Sequence, residues 1–371
     1  MVVVLSGGGT AGHINPALAL AEALQARGAE VHFAGTPGGL EARLVPETGI
    51  PYQAFEASGF DRSRPLTLIK GIAKIERSAH RAKRWFAEID PDVVVGFGGY
   101  VSIPVAHAAE SLGIPVVIHE QNSVMGLANK YLARKATAIC LTYGHAARAL
   151  DEACQARVEV TGNPVRRQVL QATREEGRAL LGVPDQARML LAFGGSLGAR
   201  HLNEALVGLK GELLSRPDLR IVQVTGPKEL DAVQGALALG PQEAERWQVL
   251  GYLDQMGAAL AAADAVVSRA GATSLAEIAA RAVPALLVPF PHAAEDHQTT
   301  NARAYVEGGC AALLADADLT DASGAPTEAF RQAVLALADD VAACDAMAAC
   351  ARAQRAADAA ENLADVVCRV A

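Results

Sequence analysis

The sequence predicts two doubly wound α/β domains, each built on a parallel sheet. At 371 residues the chain is long for one core and suits two. Short, strongly apolar runs alternate with helical stretches along most of its length, the pattern of a parallel sheet with helices on both faces. The opening plan of strand, glycine loop and helix also returns in the second half. In such a fold, ligands lie beyond the carboxyl ends of the strands.

The first strand is Val2-Val3-Val4-Leu5, apolar throughout as a strand buried on both faces must be. It ends at Ser6-Gly7-Gly8-Gly9-Thr10-Ala11-Gly12-His13. Asn15 and Pro16 read as N-cap and first helical residue of a helix running to about Ala26. A glycine loop that opens a helix aims backbone N–H groups and a positive dipole end at one point, a ready phosphate site. Ala29 to Ala34 is a second strand, with Gly35 to Gly39 turning into a short helix. Asp92 to Gly96 is a strand ending in Phe97-Gly98-Gly99-Tyr100, with a helix from about Ser102 to Ser111. Pro115 to Ile118 delivers His119-Glu120-Gln121-Asn122 at its carboxyl end, and Ala136 to Leu141 and Val158 to Thr161 follow as strands.

Gly162-Asn163-Pro164-Val165-Arg166 breaks the pattern and reads as a hinge, giving domains 1–162 and 163–350 and a terminal helix in 351–371. Beyond it, Thr173 and Glu176 are placed as a capping box and Gly182 as its helix terminator. Met189 to Phe193 is then a strand, Gly194-Gly195-Ser196-Leu197-Gly198 a glycine loop and Leu202 to Leu214 a helix. Ile221 to Thr225, Gln248 to Leu250, Ala265 to Ser268 and Ala285 to Val288 continue as strands, and Glu328 to Val370 is helical.

Composition excludes several classes. A net charge of −8 argues against nucleic acid as partner. The six cysteines form no C-x-x-C pair and no His-flanked cluster, which reads as free thiols in a reducing compartment. No apolar run reaches the length of a membrane span and no signal peptide precedes the first strand. One segment departs from the acidic balance: Arg62, Arg64, Lys70, Lys74, Arg77, Arg81, Lys83 and Arg84 stand against Glu76 alone, interleaved with apolar residues. It reads as a basic amphipathic helix. Packing on the sheet accounts for it fully, and docking on an anionic bilayer, at about 1 kcal/mol per basic residue, accounts for it equally well.

Gly7, Gly9 and Gly12 satisfy G-x-G-x-x-G, yet the second strand ends Phe33-Ala34-Gly35-Thr36, without the acid that a dinucleotide's ribose needs. Thr10 and His13 add a hydroxyl and an imidazole that a structural turn does not require. Gly194-Gly195-Ser196, with Arg166, is suited to a phosphate. Glu277 has two readings: capping-box partner of Ser274, or acceptor for the two hydroxyls of a ribose. His292 and His297, beside Glu295 and Asp296, lack the further ligands of a metal site, and Gln298 is placed to meet sugar hydroxyls.

The ordered set Gly8 to His13, Gly98-Gly99-Tyr100, His119 to Asn122, Gly162 to Arg166, Gly194-Gly195-Ser196 and Gly271 to Glu277 resembles the MurG family over nearly the whole chain. That family is the bacterial N-acetylglucosaminyltransferase completing the lipid-linked disaccharide of peptidoglycan. The resemblance implies a GT-B fold of two Rossmann-like domains around a cleft. UDP-N-acetylglucosamine would lie mainly on the second domain, and an undecaprenyl-linked muramyl-pentapeptide on the first, at the cytoplasmic face of the membrane. It puts Arg166, Ser196 and the Ala272-Thr273-Ser274 helix start at the donor diphosphate, Glu277 at its ribose, Asn122 and Gln298 at its sugar and the Leu253 backbone at its uracil. Thr10, Ala11 and Gly12 would contact the donor as well as the acceptor. Gly9, His13, Gly98, Gly99 and Tyr100 would face the acceptor, and the last helix would return to the first domain. Ala11 stands where some members have glycine, and Leu197 where others have glutamine. His13 is the candidate base, with no metal and no cofactor implied. A UDP-N-acetylglucosamine 2-epimerase, an NAD-dependent oxidoreductase and a non-catalytic nucleotide-sugar sensor are the alternatives.

Overall fold

The computed structural model describes residues 1–57, 65–195, 199–353 and 358–371, and the side chains of these except 65–72 and Ala294. The chain divides into two compact units, Met1–Arg166 with Asp358–Ala371, and Arg167–Ala357.

The first unit holds β1 (Val2–Ser6), β2 (Glu30–Gly35), β3 (Tyr52–Ala54), β4 (Val93–Gly96), β5 (Val116–Glu120), β6 (Ala138–Leu141) and β7 (Val158–Val160). They form one sheet in the order β3-β2-β1-β4-β5-β6-β7, with every pairing parallel. The second unit repeats the plan with β8 (Arg188–Phe193), β9 (Leu219–Val224), β10 (Trp247–Leu250), β11 (Ala265–Ser268), β12 (Ala285–Leu287) and β13 (Ala311–Leu313), ordered β10-β9-β8-β11-β12-β13. In each sheet the order reverses direction at one place, between β1 and β4 and between β8 and β11. Those are the switch points where an open parallel sheet leaves a crevice.

The apolar runs are explained by burial on two faces. Val3 and Leu5 join one core cluster with Val93, Val95 and Val117. Val4 joins another on the opposite face with Val94, Val116 and Ile118. The helix Ala359–Val370 contributes Leu363, Ala364, Val366 and Val367 to the first of these clusters, beside the helix Ala11–Ala26. Arg27 fixes it there, pairing with Glu361 and Asp365 at 2.6 and 2.7 Å.

Thr173 and Glu176 form the reciprocal capping box, at 3.2 and 2.9 Å, and Gly182 ends that helix at φ 62°. The helix expected to start at Asn15-Pro16 instead starts at Ala11 with Thr10 as N-cap, so Pro16 lies in its second turn. The proline removes a single N–H, and the Thr10 carbonyl already accepts from His13 and Ile14 at 3.1 and 3.3 Å, so the turn closes ahead of it. Leu202 to Leu214 is two helices, Arg200–Val207 and Lys210–Leu214. The three-residue edge strands β3 and β13 are not among the strands the sequence predicts.

The basic helix spans Pro65–Ile89. Ala79, Ala82 and Phe86 bury one face in the cluster that holds Phe55, Val101 and Val105, while Arg77, Arg81 and Arg84 are exposed. Packing thus accounts for its second half; Arg62, Arg64 and the side chains of Leu66, Leu68, Ile69, Lys70 and Ile72 lie outside the described residues.

In the helix Arg174–Leu181, a Cβ on Gly177 would run into the Ala258 carbonyl oxygen and stand 2.9 Å from the Ala262 methyl. Alanine in a helix interior ordinarily gains up to about 1 kcal/mol over glycine. Gly177→Ala is expected to do the reverse, costing about 1–3 kcal/mol as overpacking does. Calorimetry of the variant should show a lowered melting transition; an unchanged or raised one would contradict this packing.

Candidate active site

At the first switch point the loops after β1, β4 and β5 converge. His13 lies in the first turn of the helix Ala11–Ala26, and its Nδ1 is 2.8 Å from the Gly8 carbonyl oxygen. A carbonyl only accepts, so Nδ1 carries the proton and donates it. The neutral ring therefore keeps its lone pair at Nε2.

Both glycines after β4 are required here. A Cβ on Gly98, at φ 100°, would stand 3.2 Å from His13 Nε2, and one on Gly99, at φ 77°, would stand 2.7 Å from the Gly8 carbonyl oxygen. Ser102 ties the two loops from below, with its Oγ 3.0 Å from the Ser6 carbonyl and 2.8 Å from that of Gly98. The β1 loop is held from its other side by Glu41, whose Oε2 accepts from Gly9 N–H at 3.1 Å.

The His119-Glu120-Gln121-Asn122 run is mostly support. His119 Nε2 donates to the Gly162 carbonyl at 2.9 Å and its Nδ1 accepts from Gln121 Nε2 at 3.1 Å. Full burial pushes this imidazole down to about 4. Glu120 is buried, and its carboxylate accepts from Asn122 N–H at 3.0 Å, Gly126 N–H at 2.9 Å and Asn129 Nδ2 at 2.9 Å. Asn122 is thus half-buried on a loop pinned by its neighbour. Thr10 and Tyr100 are exposed, and Ala11 and Gly12 half-buried, around the same loops.

Arg166 closes the first unit and sits apart from this group. Its Nε is 3.2 Å from Glu22 Oε1, nine residues along the helix from His13, or about 13 Å at the helical rise.

At the second unit's switch point, β8 ends in Gly194-Gly195, and Ser196 and Leu197 lie outside the described residues. After β11, Gly271 is the N-cap of the helix Ala272–Arg281, with no side-chain cap, and Ala272, Thr273 and Ser274 form its first turn. Ser274 is therefore inside the helix, which rules out the capping-box reading of Ser274 and Glu277. Glu277 is buried one turn further on. Gln298 Oε1 accepts from Ala270 N–H at 3.2 Å and Phe290 N–H at 3.0 Å, joining the β11 and β12 loops. Arg269 braces them too, donating to the Val288 and Pro289 carbonyls at 3.2 and 3.1 Å. Burial opposes charge on Asp316, yet His201 and Arg269 together hold its carboxyl below the ordinary range. Leu253 is half-buried in the loop after β10, against the core.

Sequence reasoning missed Glu41, Ser102, Asn129 and Arg269. Ser102 and Arg269 each stand two residues from a motif that it singled out, Gly98-Gly99-Tyr100 and Gly271 to Glu277, while Glu41 and Asn129 belong to none.

The glycosyltransferase family 28 N-terminal domain matches residues 3–141, and the C-terminal domain of that family matches residues 189–363. The solved structure of Acinetobacter baumannii MurG is 32% identical, covers 99% of each chain and superposes with a TM-score of 0.74. A UDP-N-acetylglucosamine--N-acetylmuramyl-(pentapeptide) pyrophosphoryl-undecaprenol N-acetylglucosamine transferase of Halothermothrix orenii is 41% identical over 322 residues, 86% of this chain and 87% of that protein. The chain belongs to the MurG family. A MurG-family transferase of the same name from Levilactobacillus brevis is 39% identical over 373 residues, 99% of this chain and 98% of that protein. Two parallel-sheet units and this likeness make the fold GT-B, and membership makes the protein a glycosyltransferase in place of an epimerase, an oxidoreductase or a sensor.

The buried His119 makes stability depend on pH. Its folded value, about 4, lies below the 6.5 of a free imidazole, so the unfolded chain takes the proton first. This contribution is complete above pH ~6.5 and is lost as pH falls toward ~4. Between pH 7 and pH 5 it removes about 2 kcal/mol. Denaturant melts across that range should show the fall, and His119→Gln should flatten it; an equal slope in both proteins would refute the assignment.

Proposed function

We propose that the protein transfers N-acetylglucosamine from UDP-N-acetylglucosamine to the 4-hydroxyl of an undecaprenyl-linked N-acetylmuramyl-pentapeptide, converting lipid I to lipid II with inversion, and that His13 is the base. One observation carries the base: Nδ1 is committed to the Gly8 carbonyl, leaving Nε2 as an acceptor at the β1–β4 crevice. The muramyl hydroxyl attacks the anomeric carbon from the face opposite UDP. Its proton passes to Nε2 as the new bond forms, and UDP leaves with the bonding pair. Thr10, Gly98, Gly99 and Tyr100 line the acceptor side, and Asn122 meets the transferred sugar.

The donor lies on the second unit. Its diphosphate faces the N-terminus of the helix Ala272–Arg281, where the dipole and first-turn amides stabilise the charge developing on the leaving group. Glu277 takes the ribose diol, Gln298 uses its amide nitrogen on the sugar, and Arg166 and Ser196 contribute to the diphosphate. The protein works peripherally at the cytoplasmic face of the membrane, held by the basic helix Pro65–Ile89. No helix among the described residues is long and apolar enough to cross a membrane.

Incubation with UDP-N-acetylglucosamine, with and without a soluble lipid-linked muramyl-pentapeptide analogue, tests the reaction. Acceptor-dependent UDP release with a β-linked product by NMR is expected; release or epimerisation without acceptor would overturn it. His13→Ala should lower turnover by about 10²–10⁴, and near-normal turnover would exclude His13 as base. In vesicle sedimentation, binding to anionic but not neutral bilayers is expected, weakening with salt and in an Arg77→Glu/Arg84→Glu variant. Equal binding by the variant would remove the helix from the membrane assignment.

A further inference from the structure

The sequence offers no acid at the end of β2, yet an acid reaches the β1 loop. Glu41 begins the short helix Glu41–Leu44 and is fully buried. Its Oε2 accepts from Gly9 N–H at 3.1 Å, while Oε1 accepts from Thr36 N–H at 3.0 Å and from Thr36 Oγ1 at 2.6 Å. Space for the carboxylate is left by Gly8, Gly35 and Gly39, since a Cβ built on any of the three would collide with the Glu41 side chain. Tyr52 closes the ring by donating from its hydroxyl to the Thr36 carbonyl at 2.6 Å.

The peptide unit between Gly8 and Gly9 is the link. Its N–H points to Glu41 and its carbonyl accepts from His13 Nδ1. One rigid plane therefore joins the buried carboxylate to the imidazole. Rotating that plane would break both hydrogen bonds together and would remove the acceptor that selects the His13 tautomer.

From this juxtaposition we infer that Glu41 is a positioning residue, which fixes the Gly8–Gly9 peptide and through it the orientation and tautomer of His13. It touches no substrate. The inference rests on the reading of His13 as base. Glutamine cannot replace the carboxylate, because both oxygens accept from N–H groups and an amide nitrogen would set donor against donor.

The test uses the full chain carrying ¹⁵N-labelled histidine. In the unsubstituted protein the neutral His13 ring should show a protonated Nδ1 and an unprotonated Nε2. In Glu41→Gln the two nitrogen shifts should move toward each other as the tautomers mix. Turnover should fall about 10- to 100-fold, as for a misplaced catalytic group, with the donor KM within about twofold. Because losing a buried carboxylate can unfold the unit, Thr36→Val is the second variant. It keeps the backbone donor, removes one hydrogen bond to Glu41 and should show the same spectroscopic change with about a 3- to 10-fold loss in turnover. Folded variants with unsubstituted turnover and tautomer would overturn the inference. His13→Gln separates the two claims. If it is impaired while the Glu41 and Thr36 variants are normal, His13 stands as base and the positioning falls. If it is active, the base reading falls while the tautomer measurement still decides the positioning. Glu41→Gln should add no further loss in a His13→Gln background, and a fully additive loss would assign Glu41 a role independent of His13.

Discussion

The carbonyl oxygen of Gly8 sets the chemistry of the first unit. It accepts from His13 Nδ1 and lies against Gly99 so closely that a side chain there would overlap it. It occupies the place where the sheet order turns from β1 to β4, so the crevice exists because of topology and is kept open by glycine. Two loops and a helix depend on that one atom. The β1 loop presents it, the β4 loop packs against it, and the helix Ala11–Ala26 starts where it does so that the imidazole can reach it.

Around both switch points, buried polar groups hold loops in place of the regular ladder. Glu120 gathers two backbone N–H donors of the β5 loop and the side-chain amide of Asn129 from the helix Leu127–Leu132 that follows, His119 ties β5 to Gly162, and Arg269 and Gln298 bind the β11 and β12 loops together. Irregular backbone at a sheet edge leaves N–H and C=O groups that must be satisfied, and a buried side chain with several acceptors or donors satisfies them at fixed geometry. This is why the polar density in the sequence clusters after strands, and why much of it supports neighbouring residues.

What could be read from the sequence follows the range of the forces involved. Strands β1, β8 and β11 announce themselves because burial on both faces demands continuous apolar residues. The capping box at Thr173 is legible because its partners are three residues apart. By contrast β3, Tyr52–Ala54, is three half-buried residues at an edge and carries no such signature. Asn15-Pro16 misled because it is a good local start signal that the Thr10 N-cap outcompetes by tertiary placement. Ser274 and Glu277 have the right spacing for a cap, but the helix begins at Ala272 with Gly271 as its N-cap, and no rule of spacing fixes that. Glu41 lies 32 residues from Gly9, so only the fold brings the carboxylate beneath the loop.

The same glycine-loop plan thus serves two purposes in one chain. In the second unit the helix after β11 opens on Gly271 without a side-chain cap, an end suited to a ligand's negative charge. In the first unit the protein supplies its own negative charge to the loop. A dinucleotide fold would place an acid after the second strand to take a ribose. Here the acid that follows the second strand is turned inward and fully buried against Gly9 and Thr36, where no ribose can meet it. The glycine signature is therefore present without an acid that could reach a dinucleotide's ribose, and the loop's remaining resource is its carbonyl, spent on aiming a histidine.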